Sequence, residues 1–237
     1  MKTLALTIAS AALLALPAGV SKAQEAPAVA AVPVATPAGI ALDSPWRHAV
    51  YAQANTHFQH PSWGVRHSER NYLLGVALAR AEGLAVDEDV LFAAAFLHDW
   101  GGIAPFAVSG VDHAERSVEL AEPFLTEAGF PMEKFPAVRA AILGHMYDKE
   151  PEGPEAVVLH DADALDFLGA LGAGRLLAAT ADRPDYDQAL TRIERFAIDI
   201  PPRLKTAAAR DMAAQRVAVM TEFLAQLRRE TPEGARP

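Results

Sequence analysis

The sequence predicts an all-α fold, a bundle of about seven to eight helices. Three observations predict it: Gly, Pro and Asp punctuate the chain at helix-length intervals, apolar residues recur at three- and four-residue spacings, and no convincing run alternates as a half-buried strand would. Val157-Val158-Leu159 is the only β-leaning stretch, and it is too short to build a sheet.

Each segment carries its own start and stop marks. Pro45 to about His60 opens behind Asp43-Ser44, a capping residue ahead of proline. Val65 to Glu82 stops at Gly83, Asp87 to Asp99 at Gly101-Gly102, and Asp112 to Ala128 at Gly129. Pro131 to Tyr147 and Pro154 to about Thr180 begin on proline, and Asp185 to about Asp199 begins on aspartate. The last segment, Lys205 to Arg229, shows the pattern most cleanly. Ala213, Val217, Met220, Leu224 and Leu227 form one apolar stripe, with Arg210, Arg216 and Glu222 off it.

What precedes these helices reads differently. Met1 to Ala23 has an early Lys2, an apolar stretch from Leu4 to Leu16, a Pro17-Gly19 break and a small-residue ending at Ser21-Lys22-Ala23. That is the pattern of a signal peptide cut after Ala23, so the expected location is exported, periplasmic or secreted, with no stable membrane insertion after cleavage. Gln24 to Leu42 is Ala, Val and Pro with almost no charge, which predicts a flexible leader. The folded domain is expected over 43–232, with its chemical core at 65–175 and C-terminal helices over 185–230.

Composition narrows the chemistry. The 237 residues are 51% hydrophobic and 22% charged, with a net charge of -9, which argues against nucleic acid as a bulk partner and against anionic membranes. Cleavage after Ala23 removes Lys2 and Lys22 and makes the balance more acidic still. Cys is absent, so disulfides, iron-sulfur clusters and thiol nucleophiles are excluded and any metal must be held by His and carboxylates.

Two stretches stand out among the eight His. His98-Asp99 ends the apolar run Val90 to Leu97, where a carboxylate is expensive unless a cation compensates it. His160-Asp161-Ala162-Asp163-Ala164-Leu165-Asp166 again sets carboxylates in an apolar helix. Asp163 shares a face with His160 and with Asp166, while Asp161 points nearly opposite, so one of Asp161 and Asp163 can be a ligand while the other caps or faces solvent.

His67, His98-Asp99 and Asp163, in that order, resemble the H…HD…D signature of the HD superfamily of metal-dependent hydrolases. His67-Ser68-Glu69-Arg70 is similar to the family's H-x-x-R opening and Gly83-Leu84-Ala85-Val86-Asp87 to its inter-helix loop. The stretch from Asp161 to Ala170 followed by Arg175 is most similar to the small stand-alone bacterial members, as is the closing helix. The likeness spans about Val65 to Arg175. It implies an HD-domain helical bundle in which His67, His98, Asp99 and Asp163 hold a divalent ion: Mn, Mg, Fe, Co or Ni. His113 and His145 lie between HD and the last Asp, as in subfamilies where two such His hold a second ion. The other reading makes His113 a helix-start residue near the mouth and His145 a hydrogen-bond partner of the ligand.

The resemblance further implies a phosphohydrolase acting on a small phosphate ester, a phosphomonoester or nucleotide, through metal-activated water. Asp99 or Asp161 would carry the proton, and Arg70 would neutralise phosphoryl charge, with Lys149 as a second anion holder. The same ligand set occurs in HD-fold di-iron oxygenases, the alternative reading; an exported metal- or ligand-binding module without catalysis is the third. His160 is not expected to be a ligand. His48, His57 and His60 lie outside the matched core, where a surface or packing role is expected. Trp100, Phe106, Tyr147 and Phe167 are the aromatic side chains near the motif that could stack on a substrate.

Overall fold

A computed structural model describes residues 34–179 and 185–233. The segment expected to be a signal peptide (1–23), the expected leader up to residue 33 and Thr180 lie outside the described residues. Among the described residues the chain is all-helical, with no β-strand: α1 (Pro45–His57), α2 (Val65–Glu82), α3 (Glu88–Leu97), α4 (His113–Ala128), α5 (Phe135–Leu143), α6 (Pro154–Asp166), α7 (Gly169–Ala178), α8 (Tyr186–Asp199) and α9 (Ala207–Glu230). No described helix is long and apolar enough to cross a membrane.

The local chemistry of the sequence sets these boundaries. Asp87 accepts from the Asp89 and Val90 amides to start α3, and Asp112 accepts from Ala114 and Glu115 to start α4. Gly83 and Gly129 end α2 and α4 in the left-handed conformation. The core is built around α3, where every residue from Val90 to Leu97 is buried, and which packs on α1, α2, α5 and α6. Each of its fully buried Leu and Phe side chains contributes about 1.5–3 kcal/mol, which fixes the end of α3 where His98 and Asp99 stand. In α9 Ala213, Met220 and Leu224 are buried, with Val217 and Leu227 packed against the core beside them, as the stripe predicted.

Three features differ from the sequence expectation. The helix expected over Pro154 to Thr180 is two helices, α6 and α7, parted at Phe167-Leu168, with Gly169 at φ +76°. Gly172 explains the tight corner: a Cβ there would lie 2.1 Å from the Phe167 carbonyl. The small residues that look like close helix packing thus permit a fold-back. His98-Asp99 and His145 stand beyond the ends of α3 and α5, in the turns that follow them. Residues 34–42, expected as the end of a flexible leader, carry an Ala35–Ala41 bridge and bury Thr36, Ile40 and Leu42, so packing starts nearer 34 than 43.

Asp161 is turned away from the other acidic residues and holds α9 to α6. Its carboxylate accepts from the Lys205 amide at 2.9 Å, and from the Thr206 amide and hydroxyl at 2.7 Å each, with His160 Nδ1 at 2.8 Å. This corrects the expectation that Asp161 carries a catalytic proton. It also accounts for His160, which is buried beside it. Burial pushes Asp161 up, but bonds from His160, Lys205 and Thr206 outweigh it, and the carboxyl sits below its ordinary value. Asp161→Ala is therefore expected to cost about 2–4 kcal/mol in urea unfolding at pH 7, with metal content unchanged. Because the native value is depressed, the difference from wild type holds above the unfolded-chain pKa of about 3.9 and shrinks as pH falls below it.

Candidate metal centre

Four imidazoles and two carboxylates converge where α2, α4 and α6 meet the turns after α3 and α5. His67 comes from the first turn of α2. Its Nδ1 lies 2.7 Å from Asp166 Oδ2, and because that carboxylate only accepts, Nδ1 carries the hydrogen and Nε2 presents its lone pair to the cluster. His98 Nδ1 lies 3.0 Å from the Ala95 carbonyl and His145 Nδ1 2.6 Å from the Ile142 carbonyl, which aims their Nε2 atoms inward by the same logic.

The Nε2 atoms meet in pairs. His67 and His98 stand 3.3 Å apart, His113 and His145 3.1 Å apart. Asp99 lies between the pairs. Its Oδ2 is 3.5 Å from His67 and 3.4 Å from His98, while its Oδ1 is 3.7 Å from His113 and 3.9 Å from His145. Asp163 Oδ1 completes the first group at 3.1 Å from His67 and 4.0 Å from His98. With metal–ligand distances near 2.1 Å, neighbouring atoms of an octahedral shell stand about 3 Å apart and opposite ones about 4.2 Å. These distances match that range. Facing lone pairs in a buried space repel unless a proton or a cation lies between them, so the donor set fits a divalent ion in the first group.

Charge at the centre points the same way. Burial pulls His98 down, yet the Asp99 and Asp163 carboxylates outweigh it and push it up to about 9. Burial together with the His98 charge pushes His145 down to about 4. Burial raises Asp99 and Asp163, but the surrounding imidazoles bring both below the ordinary carboxylate value.

The framework is supplied by Asp166, Arg70, Arg175 and Ser117. Asp166 accepts from Arg70 Nε and Nη2 at 2.8 Å each, and Arg175 Nη1 lies 2.8 Å from its Oδ2. Arg70 is therefore committed to Asp166, which corrects its expected role as a free phosphate holder. Ser117 donates to the His98 carbonyl at 2.6 Å and accepts from the Gly101 amide at 2.8 Å, tying the HD turn to α4. Gly101 allows that approach, because a Cβ there would lie 2.4 Å from the His113 carbonyl. Ser117 had no sequence signal; Asp166 had one, its shared face with Asp163.

The centre opens on a cavity of about 300 Å³ lined by Trp63, Asp99, Gly102, His113, Asp163 and Phe167. Trp63 and Gly102 also line a neighbouring cavity of about 500 Å³ with His57, His60, Leu176 and Arg192. His60 stacks on Trp63 with ring centroids 3.8 Å apart, so His57 and His60 belong to the approach to the site. Of the expected stacking residues, Phe167 reaches the mouth. Trp100 is buried against Phe106 and Phe124, and Tyr147 packs on Phe196. Lys149 is exposed, and His48 is partly buried on α1.

With this geometry in place, residues 64–168 match the HD domain family. The matched segment runs from the start of α2 to the corner after α6 and contains all six converging His and Asp residues. Over 138 residues the chain is 33% identical to Ribonuclease Y of Desulforudis audaxviator, covering 58% of this chain but 23% of that protein's length. Among solved structures, it is 27% identical to a predicted HD superfamily hydrolase from an uncultured Thermotogales bacterium, with a TM-score of 0.53 over 76% of this chain and 88% of that one. Bacillus subtilis YpgQ, solved in complex with ADP, shares the fold at 21% identity, with a TM-score of 0.62 over 79% of this chain and 98% of that one.

The cluster depends on Asp166 to keep His67 in the Nδ1–H form. Asp166→Asn is expected to weaken Mn²⁺ binding by about 10- to 100-fold, measured by titration of the metal-depleted protein. The His67 ¹⁵N shifts should report a loss of the Nδ1–H tautomer.

Proposed function

We propose that the protein is a metal-dependent phosphohydrolase acting on a small phosphate ester. One observation carries the reading: Asp99 presents one oxygen to each of two imidazole pairs at the mouth of a buried cluster. His67, His98, Asp99 and Asp163 would hold one divalent ion, and His113, His145 and Asp99 a second. Ions of this kind lower the pKa of a coordinated water toward neutrality and neutralise charge on phosphoryl oxygens.

The chain's own residues supply the rest. Asp99 has a fifth of its side chain exposed, against 4% for Asp163, so it is the carboxylate of the cluster that faces the cavity where a substrate would arrive. Trp63 and Phe167 wall the mouth and limit water around the reacting group. The adjoining cavity of about 500 Å³ is of a size to take the organic part of a small ester, with Arg192 at its edge. The ADP held by the structurally similar YpgQ supports a phosphorylated, nucleotide-sized molecule as one candidate substrate. Export to the periplasm or beyond, read from Met1 to Ala23, belongs to the same proposal. The net charge of -9 is no obstacle to an anionic substrate, because bound ions would set the field near the reacting bond.

Chelation should abolish hydrolysis of a phosphomonoester panel and Mn²⁺ should restore it. His98→Ala and Asp99→Ala should each lower turnover by at least about a hundredfold. Two bound irons with oxygen uptake would overturn the proposal in favour of an oxygenase, and bound metal without turnover in either assay would make the protein a binding module.

A further inference from the structure

Asn71 stands one turn after His67 on α2, fully buried, and its amide reaches into the ligand cluster. Nδ2 lies 3.1 Å from His67 Nε2 and 3.3 Å from Asp163 Oδ1. Oδ1 is buried and has no hydrogen-bond partner among the described residues. The unpaired oxygen is unusual for a purely structural amide. An unpaired buried carbonyl costs about 1–3 kcal/mol. The paired N–H, in turn, occupies the same His67 lone pair that the bond to Asp166 turns toward the cluster. A half-turn of the amide, which exchanges two atoms of nearly equal size, would bring Oδ1 to the cluster and leave the His67 lone pair unoccupied. Beside a carboxylate and an imidazole lone pair that exchange is unfavourable, unless a cation lies among them.

Resting on the reading of the cluster as a metal site, we propose that Asn71 is a further ligand of the first ion through Oδ1. Its NH₂ group stands in for the ion when metal is absent. The spacing agrees, because the distances to His67 and Asp163 are those of neighbouring atoms in an octahedral shell, about 3 Å. The donor type has a consequence for selectivity. A neutral carbonyl oxygen is a hard ligand, so it biases a His/Asp site toward six-coordinate Mn²⁺ or Mg²⁺ and away from four-coordinate Zn²⁺.

The test uses the full chain, depleted of metal by chelation and titrated separately with Mn²⁺ and Zn²⁺, with melting temperature followed in parallel. Asn71→Ala should lose Mn²⁺ affinity on the order of tenfold, with a smaller loss for Zn²⁺. Asn71→Asp keeps the shape and places a carboxylate against Asp163, so it should melt lower without metal and show a larger Mn²⁺-induced rise than wild type. Equal losses for both ions in Asn71→Ala, or a Mn²⁺-induced rise in Asn71→Asp no larger than wild type, would overturn the assignment. Wild-type protein that binds neither ion would fail the metal reading itself. Wild-type binding with unaltered Asn71 variants would fail this inference alone.

Discussion

The Asp166 carboxylate is the constraint on which the centre depends. It is buried, and burial of an isolated charge costs several kcal/mol. The fold compensates it with Arg70 and His67 from α2 and Arg175 from α7, so one side chain of α6 ties three helices together. Burial would raise this carboxyl, and those partners hold it below the usual carboxylate range. The same contact decides a tautomer. Because Asp166 can only accept from Nδ1, the His67 lone pair has one direction left, which is toward Asp99 and Asp163. Arg175 extends the tie by donating to the Ser62 carbonyl, which anchors the segment carrying Trp63 to the corner after α6.

Around that anchor the cluster has a charge problem that the chain alone solves poorly. Asp99 and Asp163 bring two negative charges into a space where His67, His98 and His145 are almost fully buried. Without an ion, His98 must serve as the cation, which is why it titrates near 9 while its neighbour His145 is driven to about 4. Two imidazoles with ring centroids 4.7 Å apart are thus pushed in opposite directions by one requirement, a single positive charge next to the carboxylates. A divalent ion meets that requirement without protonating any ligand, so ion uptake would be linked to proton release.

How much of this was legible in the sequence follows from the range of the interactions. Helix boundaries set by local capping, at Asp87, Asp112, Gly83 and Gly129, were readable because the cap and the helix are adjacent in the chain. The six converging His and Asp residues were readable as an ordered motif. The corner at Phe167-Leu168 was not, because small residues suit both a continuous helix and a fold-back, and the choice is made by the close approach of Gly172 to Phe167. Asp161 and Arg70 were misassigned for a related reason. A charged residue beside a motif looks chemical until its partner is known, and the partners, Thr206 and Asp166, lie 45 and 96 residues away. Ser117 and Asn71 are ordinary residues in sequence, and only the fold places them against His98 and His67.

The division of the chain between chemistry and recognition bears on what a family likeness can convey. Every converging His and Asp of the cluster lies within residues 64–168, the segment that matches the HD domain family. The neighbouring cavity is lined mostly by residues outside that segment: His57, His60 and Trp63 before it, and Leu176 and Arg192 after it. The two regions share Trp63 and Gly102, so a molecule reacting at Asp99 would extend onto surfaces that the family match does not cover. Relatives can then share the reacting centre while differing in the group they accept, because the walls that contact that group are free to change without disturbing Asp166 or the imidazoles it orients.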